Sequence, residues 1–227
     1  MPVAATLLFG SLARADQSEE SDTDLLMIGL DEETRHVSVG RLSLFLYPWE
    51  QLEKAARDGD LFVCHLVSEA KPLIDPHDYL SKLKQAFEFR SSYAAEIARA
   101  TDFGWFLVSF GAEFNPQLLT KRALWCVRTI LIARSAELRD PVFAPERLAE
   151  LTSSAAAQDL LRYRRAPRDS DGVRRSLRQF LIDEGAGDCA LEHADWATFV
   201  ERFRETSNKV ALQTLRQEEE SQASYLG

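Results

Sequence analysis

The chain is short of the residues that mark secreted, membrane or nucleic-acid-coating proteins. It has only three cysteines, Cys64, Cys126 and Cys189, in 227 residues. They are odd in number, far apart, and include no CxxC pair. That excludes a disulfide framework or zinc ribbon and predicts buried, reduced thiols in a cytoplasmic protein. Positive charge is also in deficit, with 27 Lys and Arg against 36 Asp and Glu and a net charge of −9. Such a chain does not coat a phosphate backbone; only a local basic patch would touch one. No uninterrupted apolar run approaches the roughly 18 residues of a membrane span, so no membrane partner is expected. The start, Met1-Pro2-Val3-Ala4-Ala5, has no basic region and only a short apolar run follows, unlike a signal peptide. No internal repeat is evident. What remains is ordinary globular composition, 45% apolar and 28% charged, enough for one large or two small domains.

The pattern changes near residue 76. Before it, short apolar runs alternate with turns. Residues 3–9 read as a buried strand ended by Gly10, and 11–16 as the start of a helix with Ser11 as its cap. Residues 17–21 form a polar loop and 23–28 a second strand. Residues 36–39 and 42–47 read as a third strand or a hairpin around Gly40, with Ser43, Phe45 and Tyr47 on one face. Pro48 opens a helix to residue 57. The run 61–68 fits helix or strand equally, and 72–76 a short strand. After residue 76 the periodicity is helical: 78–101, 107–111, 116–138, 145–151, 155–164, 171–184 and 196–220. The expected fold class is therefore α+β: a mixed sheet with helices over residues 1–76, then an all-α bundle over 77–227.

Two short stretches carry chemistry. In Leu8-Phe9-Gly10-Ser11-Leu12-Ala13-Arg14, a glycine lets backbone approach a phosphate, and the following helix offers free N–H groups. The Ser11 hydroxyl adds a hydrogen bond. In Ser21-Asp22-Thr23-Asp24-Leu25-Leu26-Met27-Ile28, alternate positions send both carboxylates off one face at the mouth of a buried strand. Paired carboxylates repel unless a cation lies between them, and Mg²⁺ takes carboxylates together with phosphate oxygens and water. A solvated acidic loop, with Glu19 and Glu20 nearby, is the plainer alternative.

Together these stretches resemble the nucleotidyltransferase superfamily that includes DNA polymerase beta. Its signature is an apolar residue, G-S-x-A-x-G, a spacer, then S-D-x-D-L. Phe9 to Arg14 fits the first half except that Ala15 replaces the second glycine; Ser21 to Leu25 fits the second half fully. The resemblance covers about 20 residues. It implies a small mixed sheet, Gly10 and Ser11 on the phosphates of a nucleoside triphosphate such as ATP, and Asp22 and Asp24 as catalytic ligands of Mg²⁺ or Mn²⁺. Arg14 would reach a phosphate or pair with an acid. The implied reaction transfers a nucleoside monophosphate to an acceptor hydroxyl of a small molecule or protein, with nucleic acid disfavoured by the acidic balance.

The family also has a third carboxylate on the next central strand, as ligand and base. In 41–47 no acid occurs, and Ser43 stands at the matching position. Either Glu50 or an acid in 31–33 substitutes, or catalysis is slow or needs a partner, or the site only binds nucleotide. The alternative function is thus a degenerate member that regulates through nucleotide or partner binding. A homodimer or partner protein stays open. The helical half resembles bundles that follow small nucleotidyltransferases and the HEPN proteins, in helix layout only. HEPN ribonucleases need an Arg and a His separated by four to six residues; Arg57 and His65 are separated by seven, so no ribonuclease is expected.

One basic cluster stands out: Arg162, Arg164, Arg165, Arg168, Arg174, Arg175 and Arg178. It would grip phosphates or an acidic partner face, or be a solvated helix pair balanced by Asp159, Asp169, Asp171, Asp183 and Glu184. His36, His65, His77 and His193 have no ligand spacing. Trp105, Trp125 and Trp196 fall in apolar stripes and read as core; Trp49 beside Tyr47 reads as a core boundary.

Overall fold

The computed structural model describes residues 3–16, 22–30, 33–162, 164, 169–186, 191 and 193–226. Ser21, Asp31, Arg165, Arg168 and Cys189 lie outside the described residues. The chain forms two compact units, Met1–Ser92 with Ser135–Ala144, and Tyr93–Arg134 with Pro145–Gly227.

The first unit runs β1 (Val3–Phe9), α1 (Gly10–Arg14), β2 (Thr23–Gly29), β3 (Arg35–Val39), β4 (Leu42–Pro48), α2 (Trp49–Arg57), α3 (Leu61–Glu69), β5 (Lys71–Ile74) and α4 (Tyr79–Ala86). The sheet order is β3-β4-β2-β1-β5. β2 and β4 are parallel and the other pairs antiparallel. The hairpin alternative for 36–47 is the one realised, with Gly40 and Arg41 as its two-residue loop. β3 lies outside β4, so the hairpin returns β4 beside β2.

Period-two alternation builds the core. Ala5, Leu7 and Phe9 of β1 and Leu26 and Ile28 of β2 are buried against Leu52 and Ala56 of α2, Val63 and Leu66 of α3, and Leu80 and Leu83 of α4. Each fully buried large aliphatic side chain contributes roughly 2 kcal/mol. The ambiguous run from 61 is helical because Asp60 caps it, its carboxylate accepting from Phe62 N at 2.8 Å and Val63 N at 3.2 Å. Residues 135–144 belong to this unit through side chains: Ser92 Oγ donates to Glu137 Oε1 at 3.1 Å, and Phe143 stacks on His65 at 4.4 Å.

The second unit is all-helical: α5 (Ala94–Phe110), most of α6 (Pro116–Glu137), α7 (Pro145–Leu151), α8 (Ala155–Arg162), α9 (Ser170–Leu181), α10 (Trp196–Glu205) and α11 (Lys209–Leu226). Phe103, Trp105, Phe106, Phe180, Phe199 and Phe203 fill its core. Two long periodic stretches are broken where the sequence suggests continuity. Residues 78–101 split between α4 and α5, and 107–111 is the end of α5. Residues 196–220 split at Ser207, at φ 50°. Asn208 sets the break: its side chain donates to Arg99 O at 2.8 Å and accepts from Ala211 N at 3.3 Å. Among the described residues, no helix is long and apolar enough to cross a membrane.

Candidate functional site

Antiparallel pairing of β1 with β2 sets Phe9 opposite Asp24, so the chain turns at Gly10 directly beside that carboxylate. Gly10 has φ +73°, and a β-carbon built on it would lie 2.5 Å from Asp24 Oδ2. Glycine is needed here both for the left-handed backbone and for room beside the acid. The expected Ser11 cap is not formed. Phe9 occupies the cap position without a side-chain hydrogen bond, and Gly10 begins the helix. α1 has five residues, so its dipole is that of a single turn. Any phosphate would be held by local N–H groups and the Ser11 hydroxyl.

α1 ends at Ala15 in the left-handed region, at φ 63°. The superfamily signature has its second glycine at this position. An alanine there carries roughly 1–2 kcal/mol of steric strain, partly offset by the smaller backbone entropy it loses. Ala15→Gly is therefore expected to stabilise the protein by about 0.5–1 kcal/mol, read as a higher denaturant midpoint at unchanged slope. A lowered midpoint would remove this account of the turn.

The parallel register pairs Asp24 with Ser43, and the hairpin pairs Ser43 with Ser38. A row Phe9–Asp24–Ser43–Ser38 therefore crosses four strands on one face, at about 4.8 Å per strand. Behind the row the same face is aromatic. Phe45 lies 5.3 Å and Phe62 5.7 Å from Phe9, centroid to centroid, and His36 stacks on Phe45 at 4.2 Å. Asp24 is half-buried; Asp22 is exposed just before the strand. The same register brings Arg41 alongside Asp22, since Thr23 pairs with Leu42 and Thr23 N donates to Arg41 O at 2.7 Å. Ser38 and Arg41 are site-edge residues that the linear motif does not mark. Their only sequence signal is their place around the Gly40 turn.

Of the candidate substitutes for the third acid, Glu50 and Glu33 lie elsewhere, while Asp31 and Glu32 fall outside the described residues. Glu50 follows Pro48, which pairs with Gly29, five residues along β2 from Asp24 and about 16 Å away. Glu33 precedes Arg35, the partner of Leu46, towards that same distant end. Among the described residues, no group of three or more His, Cys, Asp or Glu converges to hold a metal ion. Asp22 and Asp24 provide two carboxylates, a partial donor set that triphosphate oxygens and water would complete.

Arg14 is engaged within the protein. Its Nε donates to Asp16 Oδ2 at 2.8 Å and its Nη1 to Glu69 Oε2 at 2.6 Å. His65 Nε2 meets the same Glu69 oxygen at 2.7 Å. Burial works against the charge on Arg14, but Asp16 and Glu69 outweigh it and raise its pKa. Burial likewise opposes ionisation of Glu69, yet His65 and Arg14 hold its carboxyl below the ordinary value. The network ties α1 to α3. Its sequence signal is His65 and Glu69 at helical i, i+4 spacing. His36, His77 and His193 are exposed. Cys64 and Cys126 are buried and free, and burial pushes both thiols up, Cys64 to about 12.

No family model matches this chain, and no curated protein does. Among solved structures, one that matches is a nucleotidyltransferase-like protein from Exiguobacterium sibiricum, at 18% identity, covering 95% of this chain and 75% of that one, with a TM-score of 0.34.

Proposed function

We propose that this protein binds a nucleoside triphosphate with Mg²⁺ or Mn²⁺ through Gly10, Ser11, Asp22 and Asp24, and acts by binding rather than by turnover. In this reading it is a degenerate nucleotidyltransferase-fold protein whose nucleotide-loaded state is sensed by a partner or a second copy. The observation that carries it is the pairing of Asp24 with Ser43. A serine hydroxyl keeps its proton near neutral pH, so it neither holds a cation as a carboxylate does nor accepts a proton from an acceptor hydroxyl. Gly10, pressed against Asp24, supports the binding half of the reading. Asp22 and Asp24 would hold the cation, which would neutralise triphosphate charge. Ser11 and the N–H groups after Gly10 would orient the phosphates, and Arg14 would brace the turn through Glu69.

The test is thermal unfolding with each of the four NTPs and Mg²⁺, run beside a pyrophosphate-release assay. One NTP at about 100 times its Kd is expected to stabilise the protein by about 2.7 kcal/mol. Asp22→Asn with Asp24→Asn should abolish that gain, and pyrophosphate release should stay at background. Sustained release that vanishes in Asp24→Asn would instead establish Mg²⁺-dependent nucleotidyl transfer. No response to any NTP would remove both readings.

A further inference from the structure

Within the second unit, α6 presents a cationic stripe that the nucleotide site does not use. Lys121, Arg122, Trp125, Arg128 and Ile132 fall at i, i+1, i+4, i+7 and i+11, which a helix gathers on one side. With Arg164 they line a cavity of about 380 Å³. Among its described lining residues four are cations and none is an acid, although the whole chain carries −9. Among the described members of the basic cluster, Arg164 reaches this cavity; Arg174, by contrast, is tied to Val108 O at 2.9 Å and Asp171 at 3.1 Å.

We propose that this cavity binds a small organic phosphate carrying a flat aromatic body. The volume lies in the range of small-molecule sites and exceeds what a bare phosphate would fill. Trp125 supplies a flat wall and is backed by buried Phe103, with ring centroids 6.1 Å apart. A wall held from behind suits stacking against an aromatic ligand. Arg122 is held in place by Gln217, with Nη2 to Oε1 at 2.8 Å, while its Nε is buried with no hydrogen-bond partner. Burial disfavours its charge and lowers its pKa, a cost that a bound anion relieves. Arg164 Nη1 donates to Glu146 Oε1 at 2.8 Å, so this cation is already partly neutralised. The phosphate would take the guanidinium and ammonium groups, and the ring would lie along Trp125 and Ile132.

The test uses the full chain and calorimetry with 1-naphthyl phosphate, 1-naphthol and inorganic phosphate. The aryl phosphate is expected to bind more tightly than either fragment, and to weaken as salt rises. Lys121→Glu, at an exposed position, should raise Kd by about tenfold or more with the unfolding midpoint unchanged, and Arg164→Gln should raise Kd as much while also losing the Glu146 pair. Asp22→Asn with Asp24→Asn should leave this Kd unchanged, which separates the cavity from the nucleotide site whatever becomes of that reading. Equal binding of naphthol, a Kd indifferent to both cation variants, or no binding at millimolar ligand would each overturn the proposal.

Discussion

Ser43→Asp is expected to give the protein a response to Mg²⁺ or Mn²⁺ alone. Asp24 and Ser43 are register partners on adjacent parallel strands, so the new carboxylate would stand about 4.8 Å along the ladder from the old one. Without cation, like charges directly opposite cost up to about 1 kcal/mol. With cation, three carboxylates replace a partial set of two, and millimolar metal should raise the melting temperature where it does not in the wild type. With NTP present, a base beside an attacking water would contribute about 10²–10⁴-fold, so hydrolysis of NTP to NMP and pyrophosphate should rise by at least about 100-fold over the wild-type background. Ser43→Ala is the control, and should change neither readout. If Ser43→Asp leaves the cation response flat, the row through Asp24 is not a metal locus.

Glu69→Ala is expected to have the largest effect on stability. It removes the one oxygen that Arg14 and His65 share, and those side chains are only 15% and 16% exposed. Breaking a largely buried pair from one side costs up to about 3 kcal/mol, because it leaves Arg14 with only the more exposed Asp16 as its counter-charge. Glu69→Gln keeps an acceptor and should cost less. Asp16→Ala, at an acid 32% exposed, should cost about 0.5 kcal/mol or less. The same network gives a pH dependence. The Glu69 carboxyl is held below its ordinary value of 4.5, so its contribution is full above that pH and is lost as pH falls through the lower, folded value. Acid titration of stability should show this loss in the wild type and not in Glu69→Gln. An Ala variant as stable as the wild type would mean that Arg14 finds its partner elsewhere.

The sheet-and-helix front, the helical remainder and the Gly10 turn were legible because their determinants are local. Strand alternation, an apolar run before Gly10, and a short acid-x-acid stretch are patterns within one element or between neighbours. The helix breaks were less legible. Residues 78–101 and 196–220 keep helical periodicity across their interruptions, and the second break is made by Asn208 reaching Arg99, 109 positions away. The Ser11 cap is not seen because the chain turns at Gly10 beside Asp24, and Phe9 rather than Ser11 takes the cap position. Of the two roles the sequence left open for Arg14, pairing with acids is the one seen, with nearby Asp16 and with Glu69, whose position 55 residues away no local pattern signals.

Legible from the chain alone are the class of fold, the glycine turn, the Asp22-x-Asp24 stretch and the lack of an acid in 41–47. Each follows from residue type and short-range spacing. What stands opposite Asp24 is set by the tertiary structure, through the register between strands distant in the chain. The hairpin sends β3 to the sheet edge and brings β4 back parallel to β2, so that a serine, and no acid from 33 or 50, is Asp24's neighbour. It also drew Lys121, Arg122, Arg128 and Arg164 around one cavity in a chain of opposite net charge. Strand order and helix packing join residues far apart along the chain, and no local period records that.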